Sequence, residues 1–313
     1  MGATERERPR DRRLLGNLLL ILTAMIWGTA FAAQRAGMEY IEPITFAAAR
    51  MVLAAVAVGL VALLTGRRDA KRLSAPERAK RNRHSLAGGV CCGAFLASAS
   101  VFQQMGVVTT TAGKAGFITA MYMLLVPVIN FALFKKKNTW LVWLAVLAGV
   151  VGMYLLCVTE QFRLTRGDAL VCVCAVLFSG HILCCDHFAR LGDPIRISAI
   201  QFVTAAVLCA VAAFALEQPT WQKVASAAAP ILYCGIVSGG VGYTLQIVAQ
   251  GFTDPTVASL LMSLEAVFAA VAGALLLGER MSPRELAGCA VMFAAIILVQ
   301  IPLPGGGEGR GRA

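Results

Sequence analysis

Charged residues and histidines are scarce in this chain. Of its 313 residues, 14% are charged and three are histidine, whereas 58% are hydrophobic and the mean hydropathy is +0.73. Because a soluble domain contains about 25% charged residues, this composition argues against a water-soluble protein. The sequence also lacks the HExxH, GxSxG and P-loop motifs and an aspartate pair within an apolar segment. We therefore expect no enzyme, no direct drive by ATP and no cofactor.

Metal-ligand spacing is absent as well. None of the ten cysteines belongs to a CxxC pair, and His84, His181 and His187 do not complete a zinc motif. All ten cysteines fall within or at the ends of apolar stretches, so we interpret them as small apolar helix residues. The sequence therefore predicts no metal site.

Ten apolar segments account for nearly all of the chain. A helix needs about 20 apolar residues to cross the hydrocarbon core of a bilayer. The segments, called here the first to tenth spans, are Leu14–Ala33, Pro43–Thr65, Leu86–Gln104, Thr111–Phe134, Thr139–Val158, Asp168–Phe188, Pro194–Leu216, Ala228–Gln246, Pro255–Leu277 and Pro283–Ile301. The predicted fold class is an all-α integral membrane protein with ten transmembrane helices.

The two halves of the chain align with each other. Residues 27–50 align without gaps with residues 178–201, and residues 103–134 align with residues 246–277. Because each half holds an odd number of spans, the second half enters the bilayer from the opposite side. We predict two inverted five-helix repeats, at 14–158 and 168–301, flanked by cytoplasmic tails at 1–13 and 302–313. Inverted repeats are typical of secondary transporters, whose solute site lies where the halves meet.

The distribution of basic residues predicts the orientation. The net charge is +11, but its lysines and arginines lie in short loops without an RNA-binding or helix-turn-helix pattern, so no nucleic-acid partner is expected. The tails and every second loop hold 20 Lys and Arg residues against 7 in the other loops. This bias places both termini in the cytoplasm and the protein in the cytoplasmic membrane. The longest basic loop, Gly66–Ser85, is interpreted as solvated.

Four prolines mark the starts of predicted helices. Pro43, Pro194, Pro255 and Pro283 each follow an acidic residue or a serine, the arrangement favoured at a helix N-terminus. Residues 282–285 also fit the S-x-x-E capping box. We interpret the acids at these positions as structural.

Two charged residues at membrane depth are candidates for function. Glu265 lies near the middle of the ninth span and is either a site for a proton, a cation or a substrate amine, or a carboxylate that locks helices together. Arg50 lies about two turns into the second span. It is either a bidentate ligand for a carboxylate or phosphate or a structural anchor.

Other polar residues recur at equivalent positions. Gln103 and Gln246 are equivalent in the third and eighth spans, and either line a shared path or bond between helices. Tyr122 aligns with Glu265, which predicts that both lie on inner faces. The remaining candidates for the path are polar or aromatic residues within spans: Trp27, Gln34, Asn130, His181 and Tyr243.

Backbone signals accompany these side chains. Pro127 predicts a kink within the fourth span, since it removes a backbone hydrogen bond. The GxxxG patterns of Gly89 and Gly93 and of Gly235 and Gly239 permit close helix approach in the third and eighth spans.

Several short motifs resemble the EamA-type members of the drug/metabolite transporter superfamily. The motifs are WGTAF (27–31), FAAAR (46–50), QQMG (103–106), GKAGFIT (113–119), SLE (263–265) and LLLGER (275–280). The resemblance implies ten helices with both termini inside and a central cavity lined by the first, third, fourth, sixth, eighth and ninth spans. The family commonly has proline after the intramembrane glutamate, where this chain has Ala266, so the resemblance gives no support for a kink there.

The predicted function is a secondary active transporter. We expect it to export small metabolites, such as amino acids or related amphipathic compounds, across the cytoplasmic membrane by alternating access. The expected partners are a small-molecule solute and membrane lipid, with a proton or a counter-solute as the coupling partner. Import or exchange, a lipid flippase, a non-transporting scaffold and a homodimer stay open as alternatives.

Overall fold

The computed structural model describes residues 10–69, 74–110, 112–135, 138–157, 165–277 and 282–300, and all regular structure within them is helical. The helices are Arg10–Gly37, Pro43–Asp69, Ala75–Val107, Ala112–Ala120, Tyr122–Phe134, Trp140–Cys157, Arg166–Ala189, Pro194–Leu216, Trp221–Ser226, Ala228–Leu232, the π-helix Tyr233–Tyr243, Thr244–Gln250, Pro255–Met262, Glu265–Leu277 and Pro283–Gln300. Three predicted segments lie outside the described residues: residues 1–9 of the N-terminal tail predicted at 1–13, the C-terminal tail predicted at 302–313, and the motif residues 278–280.

The lengths of the helices fit a membrane protein. Within the described residues, eight helical stretches are long and apolar enough to cross a bilayer, and two shorter apolar stretches, Trp140–Gly152 and Leu286–Ala295, occupy the fifth and tenth spans. The prediction of an all-α membrane fold with ten helices is confirmed. The bounds of the two repeats stay a prediction.

The distribution of polarity is inverted relative to a soluble protein. Large apolar side chains such as Leu63, Leu64 and Phe214 are more than 70% exposed, whereas Gln104 and Gln201 are fully buried. An outer surface of this kind requires an apolar surrounding, since contiguous exposed apolar patches are rare on soluble monomers. Lipid therefore covers the outside, and the polar residues of the spans face the interior.

The helices pack in pairs that are related by exchange of the two halves. The first span packs against the eighth and ninth spans, and the sixth span packs in the same way against the third and fourth. The second span contacts the eighth, and its equivalent, the seventh span, contacts the third in the same way. The second span also packs against the seventh, and the fifth packs against the tenth, so that each of these pairs joins equivalent spans. This is the pattern expected of two five-helix units related by a pseudo-two-fold axis. It brings spans of both halves together at the centre.

The two GxxxG patterns make these contacts close. A Cβ atom added to Gly93 would lie 2.6 Å from the carbonyl oxygen of Gln201 in the seventh span. A Cβ atom added to Gly235 would lie 2.9 Å from the carbonyl oxygen of Arg50 in the second span. The predicted close approach is therefore present at two equivalent interfaces.

The loops at the two ends of the molecule are joined by equivalent ion pairs. Asp193, which begins the seventh span, accepts a hydrogen bond of 2.8 Å from Arg81, and its other oxygen caps the backbone N–H of Arg196. At the opposite end, Glu42 begins the second span and pairs with Lys223. At this helix start the backbone N–H groups of Ile44 and Thr45 donate instead to the carboxylate of Glu217, which follows the seventh span. The interpretation of these acids as structural agrees with their contacts.

Two spans are interrupted at the same position of the repeat. The fourth span breaks at Met121 and the ninth at Ser263–Leu264, immediately before Tyr122 and Glu265. The observed break at Met121 lies six residues before Pro127, and the helix Tyr122–Phe134 runs through Pro127 without interruption. The predicted kink at Pro127 stays a prediction. The ninth span breaks without a proline, and at the break the hydroxyl of Ser263 donates to the carbonyl oxygen of Leu260 at 2.7 Å.

Three further features differ from the predictions. The predicted basic loop Gly66–Ser85 is helical from Ala75, because the third helix continues beyond the apolar segment. The short helix Trp221–Ser226 precedes the eighth span. The middle of the eighth span, Tyr233–Tyr243, is a π-helix, a form that is rare and concentrated at functional sites.

Candidate functional site at the centre of the helices

A small cavity lies where the two halves meet. It is lined by residues of seven spans: Trp27, Ala30, Phe31, Gln34, Arg50, Gln103, Thr119, Tyr122, Phe178, Ser238, Tyr243 and Glu265. The cavity measures about 30 Å³, which is room for one or two water molecules. The six spans implied by the family resemblance all contribute, and the second span adds Arg50.

Tyr122 and Glu265 meet across the interface between the halves. The hydroxyl of Tyr122 donates to Oε1 of Glu265 at 3.0 Å, and both side chains are buried. Each residue is positioned by the helix break that precedes it. Gly28 in the first span allows the ninth span to approach, since a Cβ atom there would lie 2.7 Å from the carbonyl oxygen of Glu265. Glu265 thus has one donor from protein and faces the cavity with its remaining acceptor capacity.

Arg50 is a buried cation whose donors are only partly used. Its Nη1 donates to Oε1 of Gln34 at 3.1 Å, and the residue is 5% exposed. Within the described residues, Nε and Nη2 of Arg50 are buried and donate to no acceptor. Leaving charged donors unmet in the interior is costly. A hydrogen bond from Nε or Nη2 of Arg50 to an acceptor on a solute would therefore be favourable.

Polar and aromatic groups complete the lining. Gln103 donates to the hydroxyl of Thr119 at 3.2 Å, within the first half. The indole N–H of Trp27 donates to the carbonyl oxygen of Ser238, 3.2 Å away, in the π-helix. The π-helical pattern leaves carbonyl groups out of the usual helical register, and Trp27 satisfies one of them. The rings of Trp27 and Tyr243 pack with centroids 4.6 Å apart.

Seven of the ten residues predicted from the sequence line this cavity: Trp27, Gln34, Arg50, Gln103, Tyr122, Tyr243 and Glu265. The other three are buried elsewhere. Gln246 donates to Gln250 in its own helix, and Gln250 in turn donates to the carbonyl oxygen of Ile182 in the sixth span. The repeat partner of Gln246, Gln103, lines the cavity. His181 faces Gln201, and Asn130 lies beyond the cavity in the fourth span. The roles of all ten in transport stay a prediction.

Sequence reasoning missed five residues of the lining. Ala30 and Phe31 are apolar residues within an apolar span, so nothing in their residue type separates them from packing residues. Thr119 and Ser238 are small polar residues of a kind that also occurs throughout helix interfaces. Phe178 is the residue that aligns with Trp27, so the alignment of the halves held a signal for it, whereas charge at membrane depth identified Arg50 and Glu265.

The lining combines one cation and one carboxylate in an otherwise weakly polar cavity. Such a site can bind a solute that carries an anionic and a cationic group, with aromatic rings against its apolar part. The volume of about 30 Å³ is below the size of any metabolite. The helices must therefore separate to admit a solute.

Comparisons with known proteins agree with this architecture. Residues 14–158 and 165–301 each match the model of the EamA-like transporter family. A protein of Archaeoglobus fulgidus named "Uncharacterized transporter" is 27% identical over 294 residues, which cover 93% of this chain and 87% of that protein. "Uncharacterized transporter YwfM" of Bacillus subtilis is 23% identical over 295 residues, covering 90% of this chain and 93% of that protein.

A solved structure supports the fold. It is described only as "Crystal structure of protein", and it superposes with a TM-score of 0.72 at 17% identity, covering 93% of this chain and 96% of that chain. Because both halves match the family model, and the match covers nearly the whole chain, the protein is a membrane transporter that belongs to the EamA-like transporter family.

Proposed function

We propose that the protein is a secondary active transporter of the cytoplasmic membrane that exports amino acids or closely related amphipathic metabolites by alternating access. The observation that carries this proposal is the pair of unmet donors on Arg50 in the cavity that also holds Glu265. A guanidinium fork matches a carboxylate, and a carboxylate matches an ammonium group. An amino acid carries both groups on neighbouring atoms.

The same carboxylate supplies a means of coupling. Glu265 is the carboxylate among the described lining residues, and it holds either a proton or the ammonium group of a solute. A site at which the two compete exchanges one for the other, because the outgoing solute leaves the carboxylate free for an incoming proton. The proposed coupling partner is therefore a proton moving inward, with a counter-solute as the alternative.

The architecture supports movement of the two halves around this site. Spans of both halves line the cavity, and the breaks before Tyr122 and Glu265 place turns of irregular backbone beside it. Interrupted helices of this kind are frequent at the sites of transporters built from inverted repeats. The equivalent ion pairs at the two ends, Arg81–Asp193 and Glu42–Lys223, both join one half to the other. Opening either end breaks one pair and leaves the other.

The proposal is tested by counterflow in proteoliposomes that contain the purified protein. Vesicles preloaded with an amino acid are given labelled amino acid outside, and unlabelled competitors are compared: the amino acid, its amide without the carboxylate, and the deaminated acid without the amine. Vesicles preloaded with a sugar or a nucleoside serve as controls. Competition by the intact amino acid alone supports recognition of both groups. An absence of counterflow with every solute, from folded protein, contradicts the proposal and favours a flippase or scaffold.

A variant of Arg50 sharpens this test. Arg50→Gln places at this position the residue that the second half carries at the equivalent position, Gln201, and keeps a hydrogen-bonding side chain while removing the charge. We expect the variant to lose at least tenfold in amino-acid counterflow, about 1.4 kcal/mol or more, and to stop discriminating between the amino acid and its amide. Unchanged discrimination would show that Arg50 is a structural anchor.

Both termini are proposed to lie in the cytoplasm. A fluorescent protein that matures only in the cytoplasm, fused to the C-terminus, should fluoresce, and an alkaline phosphatase fused at the same point should be inactive. The reverse pattern would contradict the orientation inferred from the basic loops.

A further inference from the structure

Four cysteines face one another between the third and sixth spans, which belong to opposite halves of the chain. The Sγ atoms of Cys91 and Cys184 are 3.4 Å apart, and those of Cys92 and Cys185 are 3.7 Å apart. Cys92 and Cys185 are fully buried. Sequence spacing gave no sign of this cluster, because its members are 93 residues apart in the chain.

His181 joins the inner pair. It lies four residues before Cys185, which puts both on one face of the sixth span. Its Nε2 is 3.0 Å from Oε1 of Gln201, and in the tautomer that donates to this oxygen Nδ1 keeps its lone pair. Sγ of Cys185 lies 3.8 Å from Nδ1 and 3.6 Å from Nε2, so the sulfur is beside the ring. A histidine held through its other ring nitrogen is the usual arrangement of a metal ligand.

The donor separations fit one metal ion. The ligand atoms of Cys92, His181 and Cys185 all lie within 4.8 Å of one another. With metal–sulfur bonds of about 2.3 Å and metal–nitrogen bonds of about 2.0 Å, tetrahedral angles place two sulfurs about 3.8 Å apart and a sulfur and a nitrogen about 3.6 Å apart. The observed separations are 3.7 Å and 3.8 Å. An ion can therefore be held with little movement of the helices.

We propose that Cys92, His181 and Cys185 form a binding site for a thiophilic divalent d10 metal ion, of the zinc and cadmium class, that joins the two halves of the transporter. On binding, two S–H bonds are replaced by two sulfur–metal bonds and two protons leave to solvent. Two thiolates and a neutral imidazole leave a divalent ion without net charge, which suits a buried apolar surrounding. Neighbours of the pair include Ala189, Ile197 and Ile247.

The position of the site predicts its consequence. The third and sixth spans belong to opposite halves, so a bound ion opposes their separation. Inhibition of transport by the metal rests on the alternating access proposed above, whereas binding of the metal does not. The test therefore measures binding on the purified protein, and a failure of the metal site is distinguishable from a failure of the proposed function.

The experiment titrates Cd²⁺ into reduced, metal-free protein in detergent and follows the thiolate-to-cadmium charge-transfer absorption. We expect one tight equivalent in the wild type, its loss in Cys92→Ala/Cys185→Ala, and its retention in Cys91→Ala/Cys184→Ala. The second variant is a matched control, since it removes a contacting thiol pair next to the first. His181→Gln should weaken binding at least tenfold. Displacement of Cd²⁺ by Zn²⁺ extends the result to zinc.

Two outcomes overturn the proposal. One is an unchanged cadmium band in Cys92→Ala/Cys185→Ala, and the other is the absence of a tight equivalent in the wild type. X-ray absorption at the cadmium edge of the wild type does not depend on whether any variant folds. It should show two sulfur neighbours and one nitrogen from imidazole, and a shell of four sulfurs or of oxygen alone would assign the ion to a different place.

Discussion

Tyr122 and Glu265 occupy equivalent positions in the two repeats but differ in chemistry. Only the second repeat supplies an acid, and the first supplies a phenol that hydrogen-bonds to it. The symmetry of the backbone therefore brings two different side chains to one point. This asymmetry leaves one titratable carboxylate among the described residues that line the cavity.

A substitution at Glu265 tests its role as the coupling group. Glu265→Gln keeps an acceptor for the hydroxyl of Tyr122 but cannot exchange a proton in the physiological range. We expect amino-acid uptake driven by an imposed pH gradient to fall to the rate without a gradient. Tyr122→Phe is the control, since it keeps the carboxylate and should keep the response to the gradient. Gradient-driven uptake by Glu265→Gln at the rate of the wild type would exclude this coupling.

Residue type and depth explain how far the cavity could be predicted from the sequence. Arg50 and Glu265 stand out because a charge within an apolar span is costly unless it has a partner or a wet cavity. His181 and Gln246 meet the same criterion of polarity, yet His181 pairs with Gln201 in the neighbouring seventh span and Gln246 pairs with Gln250 in its own helix. Polarity therefore predicts that a side chain faces inward. It does not tell a cavity from a helix interface, which requires the rotation of each helix.

At the scale of the helices, glycines set the spacing between the halves. The Cβ position of Gly93 is 2.6 Å from a backbone oxygen, which a side-chain rotation cannot relieve. We expect Gly93→Ala to destabilise the fold by about 1–3 kcal/mol through overpacking, measured as a lower midpoint of thermal unfolding in detergent. Gly59→Ala is the matched control, since no atom lies within 4 Å of its Cβ position. Equal midpoints for the two variants would contradict the role of the GxxxG contact.

The break in the ninth span predicts an unusual tolerance of proline. The backbone N–H of Ala266 bonds to the carbonyl oxygen of Ser263, at 3.2 Å, in the first turn of the new helix, where proline is tolerated. We expect Ala266→Pro, the residue typical of the family, to leave the unfolding midpoint nearly unchanged. Ala270→Pro, in the middle of the same helix, should cost about 3 kcal/mol or more. A similar loss for both variants would show that the helix requires the hydrogen bond of Ala266.

The helix breaks also show what the sequence does not reveal about elements. Proline predicted a distortion at Pro127, but the fourth span breaks at Met121, at the position equivalent to Leu264 in the ninth span. The two breaks therefore follow the position in the repeat rather than the residue type at the break. Span number and the pairing of the halves came from hydrophobic periodicity and self-alignment, which are properties of the whole chain. Local backbone irregularity depends on contacts between spans.

At the scale of the molecule, the pseudo-two-fold symmetry gives each end a similar closure. The pair Arg81–Asp193 closes one end and the pair Glu42–Lys223 closes the other, and Asp193 and Glu42 are equivalent residues. Both pairs join loops of opposite halves. A transporter that opens one end at a time needs closures that are individually weak, since each must break in every cycle. The exposure of Glu42 and Lys223 to solvent keeps their pair weak, whereas Asp193 is only 14% exposed.

The pair at Glu42 has a defined dependence on pH. The hydrogen bond from Lys223 lowers the pKa of Glu42 from its usual 4.5. A pKa that is lower in the folded protein than in the unfolded chain stabilises the fold above the unfolded value, and this stabilisation is lost as the pH falls through the folded value. The side chains of Lys223 and Glu42 are both more than a third exposed, at 39% and 35%. Solvent therefore limits the contribution to less than about 1 kcal/mol.

Lys223→Gln separates this closure from the rest of the fold. At pH 7 and low salt we expect a small decrease in the midpoint of thermal unfolding relative to the wild type. The difference should shrink as the pH falls below 4.5 and through the lowered pKa of Glu42 in the folded protein, and at high salt, where the charges are screened. Lys223→Arg keeps the charge and should behave as the wild type. A decrease of equal size at pH 7 and at pH 3 would mean that Lys223 stabilises the fold through packing of its aliphatic chain, and the ion pair would then play no part in holding the two halves together.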